Sequence, residues 1–103
     1  ADRSVAVVEI ADESLSTSGG YEKFFTVDGE TYGHILDPRT GRPAKAVAAV
    51  SVVAPSGTES DAVGTGVYVT GVLPEGLPAL LVLPSGEVRM NDAFRRKVKK
   101  RDE

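Results

Sequence analysis

The 103-residue chain has no cysteine and no tryptophan, and it carries one histidine, one methionine, three tyrosines and three phenylalanines. Without cysteine there is no disulfide framework and no thiolate metal centre, and a single imidazole cannot build a multi-histidine metal cluster. Long apolar runs are missing as well. The most apolar stretches, Val47 to Ala54 and Leu77 to Leu83, fall far short of the roughly 20 residues that a membrane-spanning helix needs. The opening Ala1-Asp2-Arg3-Ser4 shows neither the basic nor the apolar segment of a signal peptide. A chain of this length forms one domain or part of one, with a single small core, so a site for a large ligand needs a second element to complete it.

Charge is unevenly placed. The net charge is -3, but residues 1–92 hold 6 basic against 13 acidic side chains, while residues 93–103 hold 6 against 2. We therefore divide the chain into a domain, 1–92, and a basic tail, 93–103. The tail, Arg95-Arg96-Lys97 followed by Lys99-Lys100-Arg101, is read first as a solvated segment. Contact with anionic lipid ranks last. The acidic body, and the absence of aromatic residues interleaved with the basic run, argue against nucleic acid as a partner.

Ser4 to Ile10 is rich in Val and alternates weakly, as a strand does. Tyr21 to Val27 and Glu30 to Leu36 flank Asp28-Gly29, the turn chemistry of a two-residue hairpin. Ala46 to Ala54 is a continuous apolar run short enough for a buried strand. Ala79 to Leu83, Pro84-Ser85-Gly86 and Glu87 to Met90 read as strand, turn and return strand. Thr58 to Gly71 is ambiguous: Thr58, Glu59 and Asp61 suit a helix start, whereas Gly64, Gly66, Val67 and Val69 weaken a helix. The expectation is α+β, a mostly antiparallel sheet of five to six strands packed on one main helix near 58–70.

Three places carry candidate chemistry. Ser16-Thr17-Ser18-Gly19-Gly20 reads as a loop of small residues whose hydroxyl and amide groups suit a phosphate, or simply as a tight connection. His34, at the end of the hairpin, is a candidate acid, base or ligand, or a structural imidazole. Asp37, three residues on, either orients it or caps the turn Asp37-Pro38-Arg39-Thr40-Gly41. Asp61 and Thr65, four residues apart, share one face of a helix and would present two hard oxygen ligands suited to Mg²⁺ or Ca²⁺. The competing reading is an acidic residue favoured by the helix dipole beside an incidental threonine.

Taken in order, Ser16-Thr17-Ser18-Gly19-Gly20-Tyr21, His34-Ile35-Leu36-Asp37-Pro38-Arg39-Thr40-Gly41-Arg42-Pro43, Val50 to Pro55 and Thr58 to Thr65 resemble the C-terminal part of the ApbE family. These are bacterial FAD:protein FMN transferases, earlier described as thiamine biosynthesis lipoproteins. The resemblance covers roughly residues 5 to 92, and the HILDPRTGRP string is its most specific piece. It implies a partial ApbE-like (T-fold-like) domain of a Mg²⁺-dependent enzyme. Such an enzyme transfers FMN from FAD to a threonine or serine of a target flavoprotein and releases AMP.

By the same resemblance, Asp61 and Thr65 correspond to metal ligands. His34 is the catalytic candidate and a flavin contact, and Thr17, Ser18, Gly19 and Asp37 line the FAD site. The implied partners are FAD, an acceptor flavoprotein, and a missing N-terminal half or second chain. The implied location is extracytoplasmic, periplasmic or membrane-anchored.

Two departures matter. Gly20 stands where the family usually has Asp, and family members are several times longer. A different class of reading is therefore kept: a stand-alone flavin-nucleotide-binding or interaction module without turnover.

Overall fold

The computed structural model describes residues 4–19, 21–36 and 47–98. Its most local element is the hairpin of β3 (Tyr21–Val27) and β4 (Glu30–Leu36), whose register runs unbroken from Tyr21↔Leu36 to Val27↔Glu30. Asp28 and Gly29 both take positive φ, 53° and 81°, the type I′ geometry whose twist matches that of the flanking strands. Strand β1 (Ser4–Ile10) pairs antiparallel with β4, giving a three-stranded sheet of order β1-β4-β3.

The second sheet has order β2-β5-β6-β7 and is also antiparallel. It comprises β2 (Ser14–Ser18), β5 (Ala49–Ala54), β6 (Ala79–Val82) and β7 (Val88–Met90). All residues of β5 and β6 are buried, as expected of a strand covered on both faces. Alternation divides their side chains between two cores. Ala49, Val53, Leu80 and Val82 pack with Ala6, Val8 and Ile35 of the first sheet. Val50, Val52, Ala79 and Leu81 pack with Val67 of the helix α1 (Gly57–Thr70). The molecule is thus a stack of three layers: three-stranded sheet, four-stranded sheet, helix.

The α+β class and the single main helix agree with the sequence reading, but the strands number seven and fall into two sheets rather than one. The reason lies at β2, which the sequence reading takes as a loop. Its three serines favour turns and local backbone bonds, yet the fold meets two of the strand's hydroxyls: Ser16 Oγ lies 2.7 Å from Ser60 Oγ and Thr17 Oγ1 2.9 Å from Ser51 Oγ. Leu15 fills the remaining space against Gly33, where a Cβ would stand 2.5 Å from Leu15 Cδ2.

Helix α1 forms despite its two glycines. Ser56 caps its start, Oγ accepting from Glu59 N–H at 3.1 Å, and Gly71 ends it at φ 73°, a left-handed cap that glycine adopts without strain. Gly64 is buried facing Val52, where a Cβ would stand 3.8 Å from Val52 Cγ2. No helix is formed over residues 71–78. Among the described residues no helix is long and apolar enough to cross a membrane.

The basic segment begins inside the packed body. Phe94, on the short helix α2 (Asp92–Arg95), is fully buried in the core between the sheets. Lys97 Nζ meets Glu13 Oε1 at 2.7 Å, Lys97 O accepts from Glu9 N–H at 3.2 Å, and Val98 bridges Val8. Lys99, Lys100 and Arg101 lie outside the described residues.

Candidate functional site

Helix α1 and strand β2 run side by side in the same direction. Ser14 approaches Gly57, where a Cβ would stand 3.9 Å from Ser14 Oγ, Ser16 meets Ser60, and Gly19 lies against Tyr68. The match has a metric cause. A strand rises about 3.3 Å per residue and a helix about 1.5 Å, so five strand residues keep pace with eleven helical ones.

That alignment locates the acidic candidate. At about 100° per helical residue, Gly57, Tyr68, Asp61 and Thr65 fall within about 80° of one another. Gly57 and Tyr68 touch β2 and the glycine that follows it, so Asp61 and Thr65 stand on the β2 flank of the helix, exposed beyond the edge of the sheet. Thr65 Oγ1–H donates to the backbone carbonyl Asp61 O at 2.9 Å, the bond a helical threonine makes to the residue four before it. This bond uses the hydroxyl proton and leaves oxygen lone pairs, with the Asp61 carboxylate, as hard donors on one face.

Ser60, the residue before Asp61, is buried and fixes the helix to β2. Its hydroxyl donates to Gly57 O at 3.1 Å, so its one proton is spent and Ser16 must be the donor in the 2.7 Å pair. The sequence reading missed Ser60. Its position one residue from Asp61 and one turn from Ser56 is the signal that was present.

The three small residues divide by pleat. Ser18 pairs with Val50, whose side chain joins the helix-facing core, whereas Thr17 pairs with Ser51 on the face toward the first sheet. Ser18 is thus on the Asp61 side, and the Thr17 hydroxyl is bonded to buried Ser51. Gly19 has φ 86°, and a Cβ there would collide with Ala48 O and stand 3.1 Å from Tyr68 Cε1. Only glycine lets the chain leave β2 so close to the helix.

His34 belongs to another layer. On β4 the neighbours Gly33 and Ile35 face the core, so alternation places His34 on the outer face of the three-stranded sheet. There it meets Phe25 edge-on with ring centroids 6.5 Å apart, and Phe25 stacks on Tyr32 at 5.3 Å. The Tyr32 phenol donates to Glu30 Oε1 at 2.8 Å, and this bond raises its pKa above the usual tyrosine value. Asp37 lies outside the described residues. The donor set for a metal is partial: among the described residues no group of three or more His, Cys, Asp or Glu converges. Asp61 and Thr65 fit a hard cation in kind but supply only part of an oxygen shell.

Comparison with known proteins bears on what completes it. The sequence model of the ApbE family matches residues 1–86. The chain is 45% identical over 92 residues to the FAD:protein FMN transferase of Treponema pallidum, covering 81% of this chain and 25% of that protein. It is 37% identical over 90 residues to the protein of the same name from Salmonella typhimurium, covering 80% and 26%. Among solved structures, the ApbE protein of Thermotoga maritima superposes with a TM-score of 0.54 at 34% identity, covering 84% of this chain and 31% of that one. The chain therefore spans about a quarter of the length of the curated relatives it matches.

Proposed function

Since this chain belongs to the ApbE family, we propose that it is the C-terminal portion of an FAD:protein FMN transferase and supplies part of a site that the rest of the protein completes. The observation that carries this reading is the flank shared by β2 and α1, where Ser18, Gly19, Asp61 and Thr65 lie along one edge. An exposed carboxylate and hydroxyl beside a strand end that only glycine can form is an arrangement suited to a phosphate-bearing ligand held with a cation.

In the proposed reaction a threonine or serine hydroxyl of an acceptor flavoprotein attacks the FMN phosphorus of FAD. The new O–P bond forms as the pyrophosphate P–O bond breaks, AMP leaves with the bridging oxygen, and the hydroxyl proton passes to a base. Asp61 and Thr65 would hold Mg²⁺, which when bound neutralises charge on the phosphoryl oxygens. Ser18 and the backbone at Gly19 position the phosphates. Thr17 holds β2 in place through Ser51. His34 is the proton acceptor or a flavin contact, acting from the aromatic face it shares with Phe25, since an imidazole nitrogen can take up a hydroxyl proton.

A second reading, a flavin-nucleotide-binding module without turnover, is favoured by the partial donor set. One experiment separates the two. The full chain is titrated with FAD with and without Mg²⁺, alone and with the remaining part of a relative, and the mixture is chromatographed for AMP and FMN. Metal-dependent binding with AMP appearing only in the completed mixture is expected, and Asp61→Ala should weaken the Mg²⁺-dependent part about tenfold or more. Binding without AMP in either mixture supports the module. An unaltered metal dependence in Asp61→Ala removes Asp61 from the metal site.

A further inference from the structure

The four outer edges of the two sheets are not treated alike. Strand β1 is bulged between Ser4 and Ala6, and its free side is covered by Lys97 and Val98. Strand β7 is three residues long, and β2 is a five-residue strand of serine, threonine and one leucine lying along α1. Strand β3 is seven residues long, paired on one side only among the described residues, and in unbroken register. It contains no proline and no bulge, and its charged side chains are the adjacent Glu22 and Lys23 at one end. Its apolar side chains remain in water: Phe24 is 53% exposed, Phe25 41% and Val27 49%. A long, unbulged edge with exposed aromatic and aliphatic side chains is what folded proteins otherwise avoid, because its free N–H and C=O groups template another strand.

In a two-residue hairpin the residues flanking the turn exchange backbone bonds, so Val27, Phe25 and Lys23 direct theirs to β4. Thr26, Phe24 and Glu22 then present N–H and C=O groups outward. We propose that this outward edge of β3 docks an extended segment of the remaining part of an ApbE-family protein, which adds as a fourth strand to the three-stranded sheet. The inference rests on the functional reading above and says where the completing part attaches.

The occupant is argued from coverage and from charge. Relatives carry three times as much chain outside the matched quarter as within it, and this edge, unpaired among the described residues, borders the Phe25–His34 face, where the functional reading requires further groups. A second copy fits less well. Two β3 strands paired along their whole length would set Phe24 opposite its copy and the two Lys23 ammoniums diagonally across the pair, where like charges repel.

The test co-expresses the full chain, tagged, with the part of the Treponema pallidum relative outside the matched segment, and measures co-purification and affinity. Thr26→Pro removes an outward N–H without touching the β3–β4 ladder, as proline is tolerated on edge strands. Phe24→Lys guards the edge by charge, and Val88→Lys on β7 is the control. Circular dichroism reports whether each variant folds, and either β3 variant alone suffices. The expected result is a one-to-one complex that Thr26→Pro and Phe24→Lys each weaken about tenfold while Val88→Lys does not. No complex with the unmodified chain, or a complex indifferent to both β3 variants, overturns the proposal. So does a dimer of the chain alone that Thr26→Pro dissolves. AMP release in the same mixture tests the functional reading separately: a β3-dependent complex without AMP keeps the docking edge and removes the transferase. AMP release indifferent to β3 does the reverse.

Discussion

Strands β5 and β3 are both β-prone and largely apolar or aromatic, AVSVVA and YEKFFTV, yet all six residues of β5 are buried and no described side chain of β3 is. The difference lies in layer order. β5 is central in its sheet and has the helix on one face and the other sheet on the opposite face. β3 is at the rim of the outermost layer. Burial here is a property of position in the stack, and the same apolar side chain means core in one place and an unfilled contact in the other.

The most direct way to break this contrast is to make the same substitution in both regions. Phe94, buried between the sheets, and Phe24, half exposed on β3, differ in burial and not in chemistry. Phe94→Ala should cost about 3–5 kcal/mol of unfolding free energy, the usual loss for a buried phenylalanine, and Phe24→Ala under about 1 kcal/mol. Urea unfolding of both variants reads the gap. Equal losses would mean that β3 is covered in solution.

Asn91 sharpens the comparison, because it shows what secures the covered side. Its Oδ1 accepts from Ala79 N–H and Phe94 N–H, and its Nδ2 donates to Pro74 O and Leu77 O. One amide thus joins the turn before β6, β6 itself and the cap of α2, with every donor and two acceptor sites used. Asn91→Ala should destabilise by about 2 kcal/mol, more than the usual loss of a helix cap, since it also leaves two part-buried carbonyls and the Ala79 N–H without this partner. Thermal melting tests it. Among the described residues nothing on β3 has a comparable tie.

The smallest effect belongs to the exposed hairpin. The Tyr32 hydrogen bond to Glu30 favours the protonated phenol in the folded state, so its pKa is raised. That contribution is present below the ordinary tyrosine pKa near 10 and is lost as pH rises through the raised value. Replacing Glu30 with Gln should move the Tyr32 titration midpoint down, followed by NMR of the ring, with little change in stability at neutral pH.

How much was legible follows the same division. The β3–β4 hairpin, β1, β5, β6 and β7 could be read because each is specified by neighbours in sequence: the Asp28-Gly29 turn, runs of valine, the Pro84-Ser85-Gly86 turn. Asp61 and Thr65 could be paired because helical spacing alone puts them together. Strand β2 was hidden because its serines and threonine look like loop until Ser51 and Ser60, more than thirty residues away, receive their hydroxyls. The basic segment looked like a tail because its charges dominate, while Phe94 and Val98, which dock it, are two apolar residues among them.

By itself the sequence determined the antiparallel α+β character, the hairpin, and membership in the ApbE family, since turn chemistry, side-chain periodicity and ordered motifs are properties of adjacent residues. Only the tertiary structure decided that the strands split into two sheets, that Ser18 and not the Thr17 hydroxyl faces the Asp61 flank, that His34 stands a layer away on the outer sheet, and that β3 is paired on one side only among the described residues. Those outcomes depend on which faces meet across the stack, and facing surfaces are chosen by packing between distant segments, which local spacing does not encode.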